Sequence, residues 1–517
     1  MAKESKAFHW TDGAARNIIS KRGDKETYVV ESGITPSGFI HLGNFREAVT
    51  QDLVRKGLER AGKKVDFLYV WDDYDVLRKV PKNLPKQDMI KENLGKPVFK
   101  VPDPFECHKS YAEHFEKVFE EEMKRVGIEC TFMYSHEHYL NCEYAEEIKT
   151  ALENTEKIKT ILNEYRREPL AKEWLPIFVF CEKCDKDKTT ITWEKGYEVN
   201  YTCECGHKDT IDFRKRGIVT LRWRVDWPMR WHHNKVDFES AGKDHFASGG
   251  SVTTGREIQK QVYKTEHPVG FMYEWIGIKG KGQFASSAGN VITLTEMLEV
   301  YEPSLVRYIF AGTRPNREFS ISFDTDVLAI YEEFDKVERI YFGEEHKHAA
   351  KLKAAYELSM DEIPKSLPYQ PSIRHLSMQL QIYNFDMNKV VDFFSKELKN
   401  QFDKDRLKAR AECAENWIKK HAPEEFKFTV QTKSQVTLSK EEKDILHKVA
   451  EKLQEKDWTD KGLHEEMYIL CTNAEFPPAD FFKAAYRVLI NKEKGPKLAS
   501  FILEIGTERV AELFKSV

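Results

Sequence analysis

The chain has 517 residues, 41% of them hydrophobic and 32% charged, with a formal net charge of −4 and nine cysteines. No apolar run approaches the ~18 residues a membrane helix needs, and the opening Met1-Ala2-Lys3-Glu4-Ser5-Lys6 has no apolar leader, so a soluble, cytoplasmic protein of several domains with no membrane partner is expected. Cysteines set beside one another or beside histidines argue against a disulfide framework and for thiolate chemistry in a reducing compartment.

In chain order, the first strong signal is the strand-like Glu26-Thr27-Tyr28-Val29-Val30. It is followed by Thr35-Pro36-Ser37-Gly38-Phe39-Ile40-His41-Leu42-Gly43-Asn44 and then an amphipathic stretch carrying Phe45, Val49 and Leu53. Pro36, Gly38 and Gly43 permit a tight strand-to-helix turn. His41 and Asn44 then lie at a helix N-terminus, where unpaired N–H groups and the dipole favour a phosphate. The plainer alternative is a Pro/Gly turn with a capping Asn44. Residues 65–71 read as a buried strand ending at Trp71-Asp72-Asp73-Tyr74-Asp75, and residues 113–119 as helix. That alternation predicts a parallel, doubly wound sheet, whose ligands gather beyond the carboxyl ends of the strands, where both His41 and Asp72-Asp73 fall. Asp103, Cys107, His108 and His114 are all zinc-ligating types. Their spacing fits no standard finger, and a capping Asp with solvated histidines is the alternative.

From about Pro169 to Gly217 the pattern breaks into short strands and turns, as expected of an inserted zinc ribbon. Cys181-Glu182-Lys183-Cys184 and Cys203-Glu204-Cys205-Gly206-His207 form two knuckle-like turns spaced for one tetrahedral zinc. Five candidates compete for four places. The spacing favours Cys181, Cys184, Cys203 and His207, because a Cys-x-Cys pair strains a shared metal and Gly206 lets the turn bring His207 round in place of Cys205. Residues 217–223 and 269–275 then read as later strands of the core sheet, the second interrupted by Gly270, which marks a close backbone approach. After about Ser320 helices dominate. Ser439 with Glu442 makes a capping box ahead of Ile445, Leu446, Val449, Ala450 and Leu453, and Leu407, Ala411, Ala414, Trp417 and Ile418 form a second apolar stripe.

Residues 35–44 resemble the His-Ile-Gly-His signature of class I aminoacyl-tRNA synthetases, with Asn44 in place of the second His. Lys279-Gly280-Lys281-Gly282-Gln283-Phe284-Ala285-Ser286-Ser287-Ala288-Gly289-Asn290-Val291-Ile292 resembles their mobile KMSKS loop. With Trp71-Asp72-Asp73-Tyr74-Asp75, Asp226-Trp227-Pro228-Met229-Arg230-Trp231 and Gly242-Lys243-Asp244-His245-Phe246-Ala247-Ser248-Gly249-Gly250-Ser251, the chain is similar over essentially its whole length to class I lysyl-tRNA synthetases of the archaeal and spirochaete type.

The resemblance implies an α/β Rossmann-type catalytic core over 1–168 and 218–325, a zinc-binding insertion over 169–217 and an all-α anticodon-binding domain over 326–517. It implies ATP-dependent activation of L-lysine and transfer to tRNA(Lys), with Mg²⁺ screening the triphosphate, Zn²⁺ in the insertion and no protein nucleophile. It specifies no oligomeric state. In the roles it implies, Pro36, Ser37, Gly38 and Gly43 form the nucleotide turn. His41 and Asn44 donate to the phosphates, with Ser286, Ser287 and the amides around Gly289. Asp244 accepts from ribose, and Gly249 and Gly250 admit adenosine. Asp72, Asp73 and Tyr74 offer acceptors and an aromatic face to the ε-ammonium, and Gly33, Thr35, Trp227 and His245 line the lysine pocket. Gln283 and Ala288 stand where the two loop lysines belong, so Lys279 and Lys281 are the nearby cations. A net charge of −4 places any tRNA contact on local basic patches. One rival is a synthetase for glutamate, which needs an Arg facing the substrate's side chain; another is a zinc-containing RNA-binding protein without turnover.

Overall fold

Helix α1 (Trp10–Arg22) leads into strand β1 (Thr27–Ile34), helix α2 (Leu42–Arg60) and strand β2 (Lys64–Trp71). β1 and β2 pair in parallel from Thr27 opposite Lys64 to Ile34 opposite Trp71, and strand β3 (Thr131–Tyr134) adds in parallel to the far edge of β2. The computed structural model describes residues 9–280, 282–283, 291–455 and 457–517. On the other edge of β1, parallel bridges run from Val30 to Phe238 and from Phe238 to Val269, and Ala241–Gly242 pairs in parallel with Met272–Tyr273. The sheet is therefore parallel throughout, as the alternation of patterns predicts, and its strands all end on one side.

Parallel neighbours need crossovers, and α2 supplies the first. Leu42, Phe45, Val49, Leu53 and Leu58 recur at helical spacing and are all buried. α1 packs against α2 at Gly57, where a Cβ would stand 2.9 Å from the Thr11 carbonyl oxygen. The buried Arg307 guanidinium ties Asp52 of α2 to the Val126 and Leu358 carbonyls. Gly270 marks the backbone approach expected of it: its Cβ would lie 2.2 Å from the Glu239 carbonyl oxygen of the neighbouring strand.

Residues 217–223 are not part of this sheet, contrary to the sequence pattern. Val219–Leu221 pairs antiparallel with Ile177–Val179, so the two strands form the neck through which the chain leaves for the insertion and returns. An apolar run shows that a strand is buried and does not show in which sheet. Beyond the neck, Thr189–Thr192, Glu198–Cys203 and Lys208–Asp212 make a three-stranded antiparallel sheet, whose Val199, Tyr201 and Ile211 are buried.

The chain divides into two compact units. One holds the residues up to Leu298 with Pro303–Ile321 and Val337–Ile363; the other holds Glu299–Glu302, Ser322–Lys336 and Pro364–Val517. The second unit is helical. The Ser439 hydroxyl accepts from Glu442 N–H at 3.2 Å and the Glu442 carboxylate from Ser439 N–H at 2.7 Å, the expected capping box of helix Lys440–Leu453. In helix Gln401–Lys420 the fully buried Arg410 pairs with Glu302 and Asp335 at 2.8 and 2.9 Å. No helix among the described residues is long and apolar enough to cross a membrane.

Candidate active site

The turn from β1 into α2 carries the residues expected to meet the phosphates. His41 is the N-cap of α2: its Nδ1 accepts from Gly43 N–H at 3.0 Å, and Asn44 Oδ1 accepts from His41 N–H at 3.2 Å. The plainer capping alternative is thus realised, and it fixes the chemistry of the histidine. A ring nitrogen that accepts leaves the proton of the neutral imidazole on Nε2, making that atom a donor. Burial holds the His41 pKa below its usual value, so this neutral form prevails near neutrality. Gly43 is required by the same cap, since a Cβ there would stand 2.8 Å from His41 Cε1. Pro36 is buried, and the exposed Ser37 accepts from Tyr111 Oη–H through its carbonyl at 2.7 Å, which ties Pro36, Ser37 and Gly38 down.

The signature loop begins and ends beside this turn. Gly282–Gln283 pairs antiparallel with Ile276–Ile278, and on the far side Leu42 N–H donates to the Ile292 carbonyl at 2.9 Å while His41 bridges to Thr293. Ser286, Ser287, Ala288 and Gly289, like Lys281, lie outside the described residues. Across the site, the turn after Ala241–Gly242 exposes Asp244. The two glycines behind it serve the protein's own packing: a Cβ on Gly249 would meet Tyr165 at 2.6 Å, and one on Gly250 the His245 carbonyl at 2.4 Å.

At the ends of β1 and β2 lies a cluster of buried or half-buried carboxyls: Glu31, Glu47, Asp72, Asp75, Asp226 and Glu239. Among the described residues, Arg230 is the one cation that ion-pairs within it. Its Nη1 contacts Asp72 Oδ1 and lies 2.9 Å from Asp226 Oδ2, four residues back on helix Trp223–His233. Thr35 donates to Asp75 at 2.7 Å, Tyr273 to Glu47 at 3.0 Å, and Asn234 to Glu31 Oε2 at 2.6 Å, while Glu31 Oε1 is buried without a hydrogen-bond partner among the described residues. Burial raises these acids: Glu31, Glu47 and Asp75 to about 7, Asp226 to about 6, and Glu239 well above the usual carboxyl value. One wall is aromatic. Trp227 Nε1 donates to Glu239 Oε2 at 2.9 Å, Trp231 donates to the same oxygen, and the Trp223, Trp227 and His245 rings lie 5.6–5.9 Å apart.

Two of the expected acceptors face elsewhere. Asp73 is fully buried with both oxygens taken by His136, the backbone N–H at 2.7 Å and the ring Nδ1. Tyr74 donates to the Gly217 carbonyl at 2.9 Å and stacks on Phe180 at 5.1 Å, which places it in the core of the neck. Beyond the last ladder pair of β2 the turn, not strand alternation, decides where side chains point. Asp72 instead joins the carboxyl cluster through Arg230. Gly33 meets the Val70 carbonyl, at 2.7 Å from its would-be Cβ. Sequence patterns alone give Arg230, Asp226, Glu239 and Glu31 no role; the spacing of Asp226 and Arg230, four apart in a helical stretch, is the signal that points to two of them.

Two further clusters could hold a metal. Cys181, Cys184, Cys203 and Cys205 have their sulfurs within 4.8 Å of one another, with 3.6 Å between Cys181 and Cys205 and between Cys184 and Cys203. Cys205, not the favoured His207, completes the four. The hairpin explains it: Cys203 N–H donates to the His207 carbonyl at 2.8 Å and Gly206 takes φ +88°, so the turn tips Cys205 inward and leaves His207 beside Glu182 and Asp209. The looser set, Asp103, Cys107, His108 and His114, also converges, with Cys107 Sγ 3.1 and 3.2 Å from the two imidazoles. Asp103 accepts from the Phe105, Cys107 and His108 N–H groups at 2.8–2.9 Å and shapes that loop.

A parallel sheet with a capped helix after its first strand and buried acids at its strand ends is the arrangement of a doubly wound core, whose ligands bind beyond the strand ends. Residues 8–362 match the family described as tRNA synthetases class I (K), and the chain belongs to that family. It is 44% identical to the lysine–tRNA ligase of Borreliella burgdorferi over 520 residues, 98% of this chain and 99% of that one. It is also 44% identical to those of Pyrococcus horikoshii, over 96% of this chain and 97% of that one, and Treponema pallidum, over 98% of each.

Arg230 generates a prediction. Arg230→Gln leaves Asp72, Asp226 and Glu31 without their counter-charge, which costs about 3–5 kcal/mol when the acids are ionised. The raised pKa values of Glu31 and Asp226 mean that acidification neutralises these two, so the penalty is largest near about pH 8 and shrinks below about pH 6. Thermal melts of both proteins at the two pH values check this; a gap independent of pH contradicts it.

Proposed function

We propose that the chain is a lysine–tRNA ligase that activates L-lysine with ATP and transfers the lysyl group to tRNA(Lys). The observation that carries the reading is the imbalance of the pocket: six carboxyls face one guanidinium, which Asp72 and Asp226 already hold. Such a site favours added positive charge, and lysine brings two ammonium groups on an aliphatic stem that suits the Trp223, Trp227 and His245 wall. Glutamate would bring a further carboxylate to a guanidinium that is already neutralised. Asp72, Asp75, Glu31 and Glu239 are the acceptors at hand, and Thr35 holds Asp75 in place.

The phosphates of ATP lie at the start of α2, where the helix dipole favours them and His41 Nε2–H donates to them, and Asn44 keeps His41 at the cap. Ser286, Ser287 and the Gly289 amide are the loop donors for the phosphates, and Asp244 accepts from the ribose. Mg²⁺ neutralises charge on the triphosphate. The cysteine cluster fits structural zinc: a tetrahedron with 2.3 Å Zn–S bonds has edges of about 3.8 Å, close to the observed sulfur spacing. Asp103, Cys107, His108 and His114 offer a second set of zinc-type donors. The helical unit takes the anticodon end of the tRNA.

Charging assays decide the central reading. With ATP and tRNA(Lys), lysine is expected to be esterified and glutamate not; glutamate charging, or tRNA binding with no charging, overturns it. His41→Ala lowers the charging rate by about 10²-fold if Nε2 meets the phosphates in the transition state, and an unchanged rate removes that role. For the metal, Cys205→Ser loses bound zinc from the insertion while His207→Ala keeps it, measured by elemental analysis of the purified proteins; the opposite pattern restores His207 as the fourth ligand.

A further inference from the structure

Residues 35–40, between β1 and α2, belong to no helix or strand, and neither do Val291 and Ile292, where the signature loop returns beside that turn. Irregular backbone keeps one geometry through its contacts with something rigid. Here both segments are tied to the same helix, Tyr111–Arg125. Ser110 caps it, accepting from Glu113 N–H at 3.2 Å, and the Phe119 ring packs 6.0–6.1 Å from Tyr69 and Trp71 of β2, so the helix is fixed to the sheet.

At the first turn of this helix the fully buried Tyr111 donates its hydroxyl to the Ser37 carbonyl at 2.7 Å, while its own N–H donates to Val101 O at 2.8 Å. Phe39, two residues further along the same segment, packs edge-on against Phe115 at 5.6 Å and Phe105 at 6.0 Å, and Phe105 stacks on His114 at 4.3 Å. Three turns on, about 16 Å along the axis, the buried Glu122 carboxylate accepts from Thr295 N–H at 2.8 Å and from the Thr295 hydroxyl at 2.5 Å. Thr295 lies in the first turn of helix Leu294–Leu298, three residues past Ile292, whose carbonyl takes the Leu42 N–H. One rigid element thus grips the turn that carries His41 at one end and the return of the loop at the other. A displacement of about 1 Å at a reacting group can cost about 10²-fold in rate, so a residue that fixes these segments bears on the reaction without touching a substrate.

We propose that helix Tyr111–Arg125 is the splint that sets the spacing between His41 and the returning loop, with Tyr111 and Glu122 as positioning residues for the activation of lysine by ATP. The proposal rests on the ligase reading and names residues that act on ATP through Ser37 and Thr295. Tyr111→Phe removes one hydroxyl and keeps the buried ring, Glu122→Ala removes the acceptor, and Glu122→Gln restores a neutral acceptor of the same shape. Lysine-dependent exchange of pyrophosphate into ATP, with tRNA(Lys) present, is measured for each. In Tyr111→Phe and in Glu122→Ala kcat/KM for ATP is expected to fall about 10-fold, in Glu122→Gln to return to within about 2-fold of the wild type, and KM for lysine to stay unchanged in all three. Amide hydrogen exchange, which needs no activity, is expected to quicken over residues 37–44 in Tyr111→Phe and over residues 292–296 in Glu122→Ala. An unchanged kcat/KM in Tyr111→Phe, a loss that appears in KM for lysine instead, a Glu122→Gln as impaired as Glu122→Ala, or wild-type amide exchange in both truncated variants overturns the proposal. A wild type that neither exchanges pyrophosphate nor charges tRNA with lysine strikes the ligase reading instead, and the amide exchange then still tests the splint.

Discussion

Arg230 is the constraint around which the carboxyl cluster at the strand ends is built. Buried carboxylates repel one another and lose hydration, so a cluster such as Glu31, Asp72 and Asp226 persists only with a cation in its midst or with protons on its oxygens. Arg230 supplies the cation from the same helix turn as Asp226 and reaches the end of β2 through Asp72. One side chain thereby joins the helix that carries the tryptophan wall to the strand ends that carry the acceptors. The charge it leaves unmatched is held as protons near neutral pH.

The sheet brings the two halves of the reaction together. Because its strands are parallel, the β1 turn, the β2 turn and the turn after Ala241–Gly242 open on one side, so the start of α2 and Asp72 share one end of the sheet. His41 carries a double duty there. Its Nδ1 closes the first turn of α2 and by doing so commits Nε2 to donation, so the cap fixes the hydrogen-bonding role of both ring nitrogens. Gly43 is what lets the ring lie across the turn.

Much of this is legible in the residues alone. The strand–turn–helix of residues 26–53, the parallel sheet, the capping box at Ser439 and the close approach at Gly270 all follow from local spacing and backbone chemistry. What escapes is set by tertiary neighbours. Asp73 and Tyr74 adjoin Asp72 in sequence, yet His136 and the Gly217 carbonyl claim them, which no pattern within 71–75 discloses. Residues 219–221 have the composition of a core strand and find Ile177–Val179 as partner. Cys205 displaces His207 because the hairpin register, and not the cysteine spacing, decides which side chain turns inward. Arg230 is visible in the sequence, but its role appears only when carboxyls from four distant segments meet around it.

The central claim is that protonated carboxyls surrender their protons to an incoming lysine. Calorimetry of L-lysine binding, run at about pH 6.5 and again near about pH 8.5 in buffers of different ionisation enthalpy, counts those protons directly. A cation entering the cluster lowers the raised acids, so the account predicts net proton release at the lower pH, release that fades at the higher pH, and affinity that rises between them. Lysine binding with no proton exchanged at either pH, at constant affinity, would contradict it.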